Sequence, residues 1–92
     1  MSKVFGKEPS MNLYKMILEL KDLDECYRFF QDLCTVSELR AMEQRFDVAV
    51  LLQKGMIYNE ILEQTGASSA TISRVNRALN YGVEGYHQVF AR

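Results

Sequence analysis

Apolar residues along the chain recur at intervals of three and four, and alternation of the kind strands require is absent. The breaks fall at isolated Gly, Ser, Thr and Asn rather than at hairpin turns. This pattern predicts an all-α fold of about five or six helices. Met11 to Leu20 places Leu13, Ile17 and Leu20 on one face, with Tyr14 and Leu18 beside it. Asp22 then offers an N-cap for a helix over Leu23 to Cys34, where Leu23, Cys26, Tyr27, Phe30, Leu33 and Cys34 line one side. Thr35-Val36-Ser37-Glu38 fits a capping box, opening a long helix to about Gln53 with Leu39, Met42, Phe46 and Ala49 on one face and Gly55 as its C-cap.

Two features then change character. Val48-Ala49-Val50-Leu51-Leu52 is apolar around the whole helix, which implies protein on every side. A domain this small has few layers to provide that cover, so the expectation is an intertwined homodimer. The alternative is cover from within one chain, by the later helices and by Tyr86, Val89 and Phe90. Next, Tyr58 to Leu79 reads as two short amphipathic helices split by a glycine, the pattern of a helix-turn-helix. Its first helix is expected to bury Ile61 and Leu62 and to end at Thr65-Gly66, where glycine tolerates a positive φ. Ser68 or Ser69 caps the second, and Ile72, Val75 and Leu79 face inward.

The opposite side of that second helix carries Ala70, Ser73, Arg74 and Arg77, with Ser69 and Asn76 along a flank. Small residues near a helix N-terminus allow close approach to a DNA groove, hydroxyls read base edges, and alanine touches a thymine methyl. The helix N-terminus attracts phosphate, and arginine either reads guanine or holds the backbone. Ser68, Ser69, Ala70, Ser73, Arg74, Asn76 and Arg77 are therefore the candidate DNA-binding residues.

The charge distribution supports this choice of face. The formal total over 92 residues is −1, from 11 basic and 12 acidic groups. Residues 11–53 hold more acids than bases, whereas Ala67 to Tyr81 holds two arginines and no acid. Any affinity for nucleic acid must rest on that small patch rather than on overall basicity. At 48% apolar and 25% charged with a single proline, the composition is that of one soluble domain. No apolar run approaches the roughly 18 residues of a membrane span, and Met1 to Ser10 lacks a signal-peptide core, so a cytoplasmic protein that does not engage membranes is expected.

From Phe29 to about Leu79 the chain resembles the bacterial tryptophan repressor family. The likeness runs through FFQDLCTVSELRAMEQR, the helix ending Leu51-Leu52-Gln53-Lys54-Gly55, and TGASSATISRVNRAL. Its most specific part is Gly66-Ala67-Ser68-Ser69-Ala70-Thr71-Ile72-Ser73-Arg74, and it is closest in kind to the repressor-related proteins of Gram-positive bacteria. The resemblance implies an intertwined all-helical dimer whose recognition helices enter successive major grooves of a palindromic operator. It matches Ser69, Ala70 and Ser73 to recognition positions. It also implies a small-molecule corepressor, with Arg45, Arg74 and Thr35 as candidate contacts. Val75 stands where the family has glycine, and Ala78 where it has a serine that holds the corepressor's amino group. A valine fills space that an indole needs, and an alanine leaves a buried ammonium unpaired, so tryptophan is not the expected corepressor. A different ligand, or none, are the alternatives, and Arg45 alternatively pairs with Glu38 or Asp47.

Together these readings divide the chain into a flexible N-terminus (1–10) and one repressor-like helical domain (11–92). Within the domain, 11–57 supplies dimerisation helices, 58–80 the helix-turn-helix and 81–92 a C-terminal helix or turn. The expected function is a sequence-specific DNA-binding regulator, a repressor, acting as a homodimer on double-stranded DNA. The alternative is a helical protein-interaction module. An enzyme is not expected: His87 is the single histidine, no glycine loop suits phosphate, and Cys26 and Cys34 have the spacing of reduced, buried core thiols rather than of metal ligands.

Overall fold

A computed structural model describes residues 8–92, so most of the flexible N-terminus expected for residues 1–10, namely 1–7, lies outside the described residues. Among them are six helices and no strand: α1 (Asn12–Ile17), α2 (Leu23–Leu33), α3 (Val36–Gln53), α4 (Tyr58–Thr65), α5 (Ser69–Tyr81) and α6 (Gly85–Phe90). None is long and apolar enough to cross a membrane. The chain divides into two compact units between Thr35 and Val36.

In the first unit, α1 stops at Ile17, three residues before the expected Leu20. Glu19 N–H donates to the Met16 carbonyl and Leu20 N–H to the Ile17 carbonyl, tighter i to i−3 bonds that close the helix. Asp22 then caps α2: its carboxylate accepts from Glu25 N–H at 2.8 Å, and Glu25 returns the favour by accepting from Lys21 N–H at 2.7 Å. Asp24 and Glu25 also place negative charge in the first turn of α2, where the helix dipole favours it. Neither α1 nor α2 has a buried residue. Leu18 and Leu23 are each 85% exposed, Tyr27 and Leu33 are also exposed, and Cys26 and Cys34 are free and half-buried. The buried thiols expected from their spacing are thus corrected: two short helices supply a face without a layer to cover it.

The second unit holds the core. Val48 and Ala49 of α3, Ile61 of α4, Ala67 of the turn, and Ile72, Val75 and Leu79 of α5 form one buried cluster. Helix α3 packs against both α4 and α5, which also pack against each other. At the end of α3, Gly55 takes φ +89° while its N–H bonds the Leu52 carbonyl and Met56 N–H bonds the Leu51 carbonyl. That is a Schellman close, which requires the left-handed residue that glycine supplies. Helix α6 completes the 81–92 segment as a helix: Tyr86 and Phe90 pack on the cluster, Phe90 lies 5.8 Å from Phe46 ring to ring, and His87 Nε2 sits 2.6 Å from the Leu79 carbonyl.

Two expectations about burial are corrected here, at Leu62 and at Phe46. Leu62 is 44% exposed rather than buried, because it lies about 100° around α4 from the fully buried Ile61. The wholly apolar run in α3 finds much of its cover within the chain: Val48 and Ala49 are buried, and Leu51 and Leu52 pack on the same cluster as Tyr86 and Phe90. Phe46, on the expected inner face of α3, is nevertheless exposed, and Met42 is half-buried.

Candidate nucleic-acid interface

The site is built by the turn between α4 and α5. Gly66 takes φ +72° and its N–H bonds the Leu62 carbonyl at 2.9 Å, ending α4 as the glycine position predicts. Thr65 reinforces the corner: its hydroxyl donates to the Ile61 carbonyl at 2.7 Å and accepts from Ala67 N–H at 3.1 Å. Ala67, buried at the corner, turns the chain back into the core.

Ser68 is the N-cap of α5, resolving the choice between the two serines. Its Oγ accepts from Thr71 N–H and donates to Thr71 Oγ1, each at 3.1 Å. The Ser68 hydroxyl is therefore occupied within the chain, and it orders the start of the helix. The N–H groups of Ser69 and Ala70 belong to the first turn, where no intrahelical acceptor exists, and both residues are exposed. They are free to meet an anion.

Along α5 the inward and outward faces separate as the periodicity predicts. Ile72, Val75 and Leu79 are buried, while Ser69, Ala70, Ser73, Arg74 and Arg77 are exposed on the other side. Arg74 and Arg77 have no ion-pair partner among the described residues, where the ion pairs are Arg28 with Asp24 and Arg40 with Glu43. Asn76 differs from the rest of the expected set: it is half-buried, and both its side-chain and main-chain oxygens accept from Asn80 Nδ2. What remains open to solvent is a compact surface of three small residues, two of them with hydroxyls, and two guanidinium groups without an ion-pair partner among the described residues. Such a surface can approach a duplex closely and hold it by charge.

The residues that the family likeness ties to a corepressor fall differently. Val75 is 1% exposed and belongs to the core cluster, its side chain packed inward. Ala78 is exposed and lines an apolar hollow of about 560 Å³ with Phe46, Gly82, Val83, Tyr86 and Val89. Arg45 is half-buried and forms neither of the ion pairs expected with Glu38 or Asp47. Thr35 lies immediately before α3, in the other unit.

Sequence reasoning missed Gln44 and read Thr65 only as the end of the helix. Gln44, half-buried on α3, donates from Nε2 to the Thr65 carbonyl at 3.2 Å, linking α3 to the corner of the helix-turn-helix. Nothing in a local pattern relates two polar residues 21 positions apart.

Comparison with known proteins agrees with this geometry. A protein 52% identical over 90 residues is YerC of Bacillus subtilis, itself uncharacterised, with 98% of this chain and 86% of YerC covered. The crystal structure of a TrpR-like protein from Eubacterium eligens superposes with a TM-score of 0.84 at 57% identity, covering 87% of this chain and 82% of that one. A Staphylococcus aureus protein solved as a candidate Trp repressor gives the same TM-score at 45% identity, covering 87% and 80%. The sequence profile of the Trp repressor protein matches residues 10–92, and the chain belongs to that family of helix-turn-helix DNA-binding regulators.

Proposed function

We propose that this chain is a sequence-specific transcriptional regulator, a repressor, which acts in the cytoplasm as a homodimer and places α5 of each copy in the major groove of a palindromic site. The observation that carries this reading is the exposed, acid-free face of α5, where Ser69, Ala70, Ser73, Arg74 and Arg77 stand together and both arginines lack a partner among the described residues. Ser68 and Asn76 serve in this reading by ordering α5 rather than by touching bases. Half-sites about 34 Å apart suit two such helices related by a two-fold axis. The exposed apolar residues of α1 and α2, together with the apolar hollow beside α6, support a second copy as their cover. Catalysis forms no part of the proposal.

The direct test is binding to a duplex selected by the protein from a randomised pool, followed as salt rises. Two arginines on each of two copies predict that log affinity falls against log salt with a slope of about −3 or steeper. A flat dependence, as expected of a protein-interaction module docking through apolar surface, would sink the DNA reading. The complex should carry two chains, each of 10.7 kDa.

The proposal also assigns no role to tryptophan, because Val75 lies in the core and Ala78 offers no hydrogen bond. The chain contains no tryptophan of its own, so the emission of added tryptophan reports its binding without background. At protein concentrations that saturate DNA, its anisotropy is expected to stay at the free value, and DNA affinity is expected to be the same with and without it. A rise in either would restore tryptophan as the corepressor.

A further inference from the structure

The core fixes which face α5 turns outward, but apolar contact is non-directional and does not by itself set how far the corner slides along α3. A hydrogen bond is directional. At the corner, the Thr65 hydroxyl, the Gly66 N–H and the Ala67 N–H are all satisfied by groups within α4 and the turn. The Thr65 carbonyl is different: it is one of the last of α4, left without an intrahelical partner because the left-handed Gly66 directs the chain away. Its partner is Gln44 Nε2, from the middle of the 18-residue α3. The two residues of the contact line an open hollow of about 310 Å³ together with Arg40, Glu43, Asp47 and Gln64. From that wall Gln44 hydrogen-bonds the Thr65 carbonyl at the corner.

Ser68, the cap of α5, is only three residues beyond Thr65. A displacement of the corner is therefore passed directly to Ser69 and Ala70, the residues that would lie deepest in a groove. We propose that Gln44 is a positioning residue for sequence recognition: through the Thr65 carbonyl it anchors the helix-turn-helix corner to α3, so that discrimination among base sequences depends on a side chain that touches no DNA. This rests on the DNA-binding reading above.

The test is Gln44→Met, which keeps the length of the side chain and removes the donor. Affinity for a duplex selected by the wild-type protein is expected to fall about tenfold, the scale of one directional bond and the geometry it holds. Affinity for a random duplex, which rests on phosphate contacts, is expected to be unchanged, as is helicity, while the melting temperature falls only by the several degrees that one lost hydrogen bond costs. Amide exchange at Ala67 and Thr71 in the free protein should quicken several-fold. Gln44→Asn, one methylene too short to reach, should behave as the methionine variant does and replaces it should that variant fail to fold.

Equal loss of affinity for both duplexes, or loss of helicity accompanying it, would make Gln44 merely structural and overturn the proposal. So would wild-type discrimination in the variants. Should the wild-type protein select no duplex at all, the DNA reading fails, and anchoring of the corner is judged on exchange alone: unchanged exchange in the variants refutes it.

Discussion

Arg77→Glu is expected to weaken DNA binding on the order of a hundredfold or more while leaving the fold intact. Arg77 is exposed, has no ion-pair partner among the described residues, and lies one turn beyond Ser73 on the outer face of α5. Surface substitutions of that kind typically change stability by no more than about 0.5 kcal/mol. For binding the effect is larger, because a contact of this type contributes about 1–3 kcal/mol and a two-fold complex contains it twice. The reversed charge then adds repulsion from the phosphates. Arg77→Gln separates the two causes, since it removes the contact without the repulsion and should lose less. The salt dependence should also become shallower, by about one unit of slope for each cation removed. Circular dichroism and fluorescence anisotropy on the same samples check both halves. Unaltered affinity would remove Arg77 from the interface, and loss of helicity would show that its role is internal.

The parts legible in the sequence were those governed by short spacing. Asp22 as the cap of α2, Gly55 and Gly66 at positive φ, a serine cap on α5, and Ile72, Val75 and Leu79 inward are each fixed within a few residues, and each is found. The exposed face of α5 follows from the same periodicity. What spacing could not convey is which layers meet. Leu62 and Cys26 are apolar at helical intervals, yet one flanks a helix whose buried side is Ile61 and the other lies in a two-helix unit without a buried residue. Cover for Val48 and Ala49 comes from α4, α5 and α6, so that the apolar run in α3 is a weaker argument for a second chain than the open faces of α1 and α2. His87 had no reading as a structural group, although its ring nitrogen sits 2.6 Å from the Leu79 carbonyl and ties α6 to the end of α5. Candidate site residues behaved similarly: Ser68 and Asn76 share the face of Ser69 and Ser73 by count, but Thr71 and Asn80 already engage them.

Ile72→Ala is expected to destabilise the protein by about 2–5 kcal/mol, which in a domain of this size is a large part of the roughly 5–15 kcal/mol available. Ile72 is fully buried, one of the largest side chains in the cluster that joins α3, α4 and α5. Removing three of its carbons leaves a cavity among Val48, Ile61 and Val75, residues held by helices that cannot close the gap without shifting α5. Ile72→Val should cost about 0.5–1.5 kcal/mol, and the ratio of the two changes identifies cavity formation as the cause. Denaturant unfolding measures both. The link to function follows from the position of Ile72, one residue before Ser73 on the helix proposed to meet DNA. Any ligand that binds only the folded form raises its apparent stability, by about 2.7 kcal/mol at a hundred times its Kd. A selected duplex should therefore recover much of what Ile72→Ala loses, whereas in the Arg77→Glu background the same duplex should recover almost nothing. Equal recovery in both backgrounds would mean that the duplex is held elsewhere than on the outer face of α5.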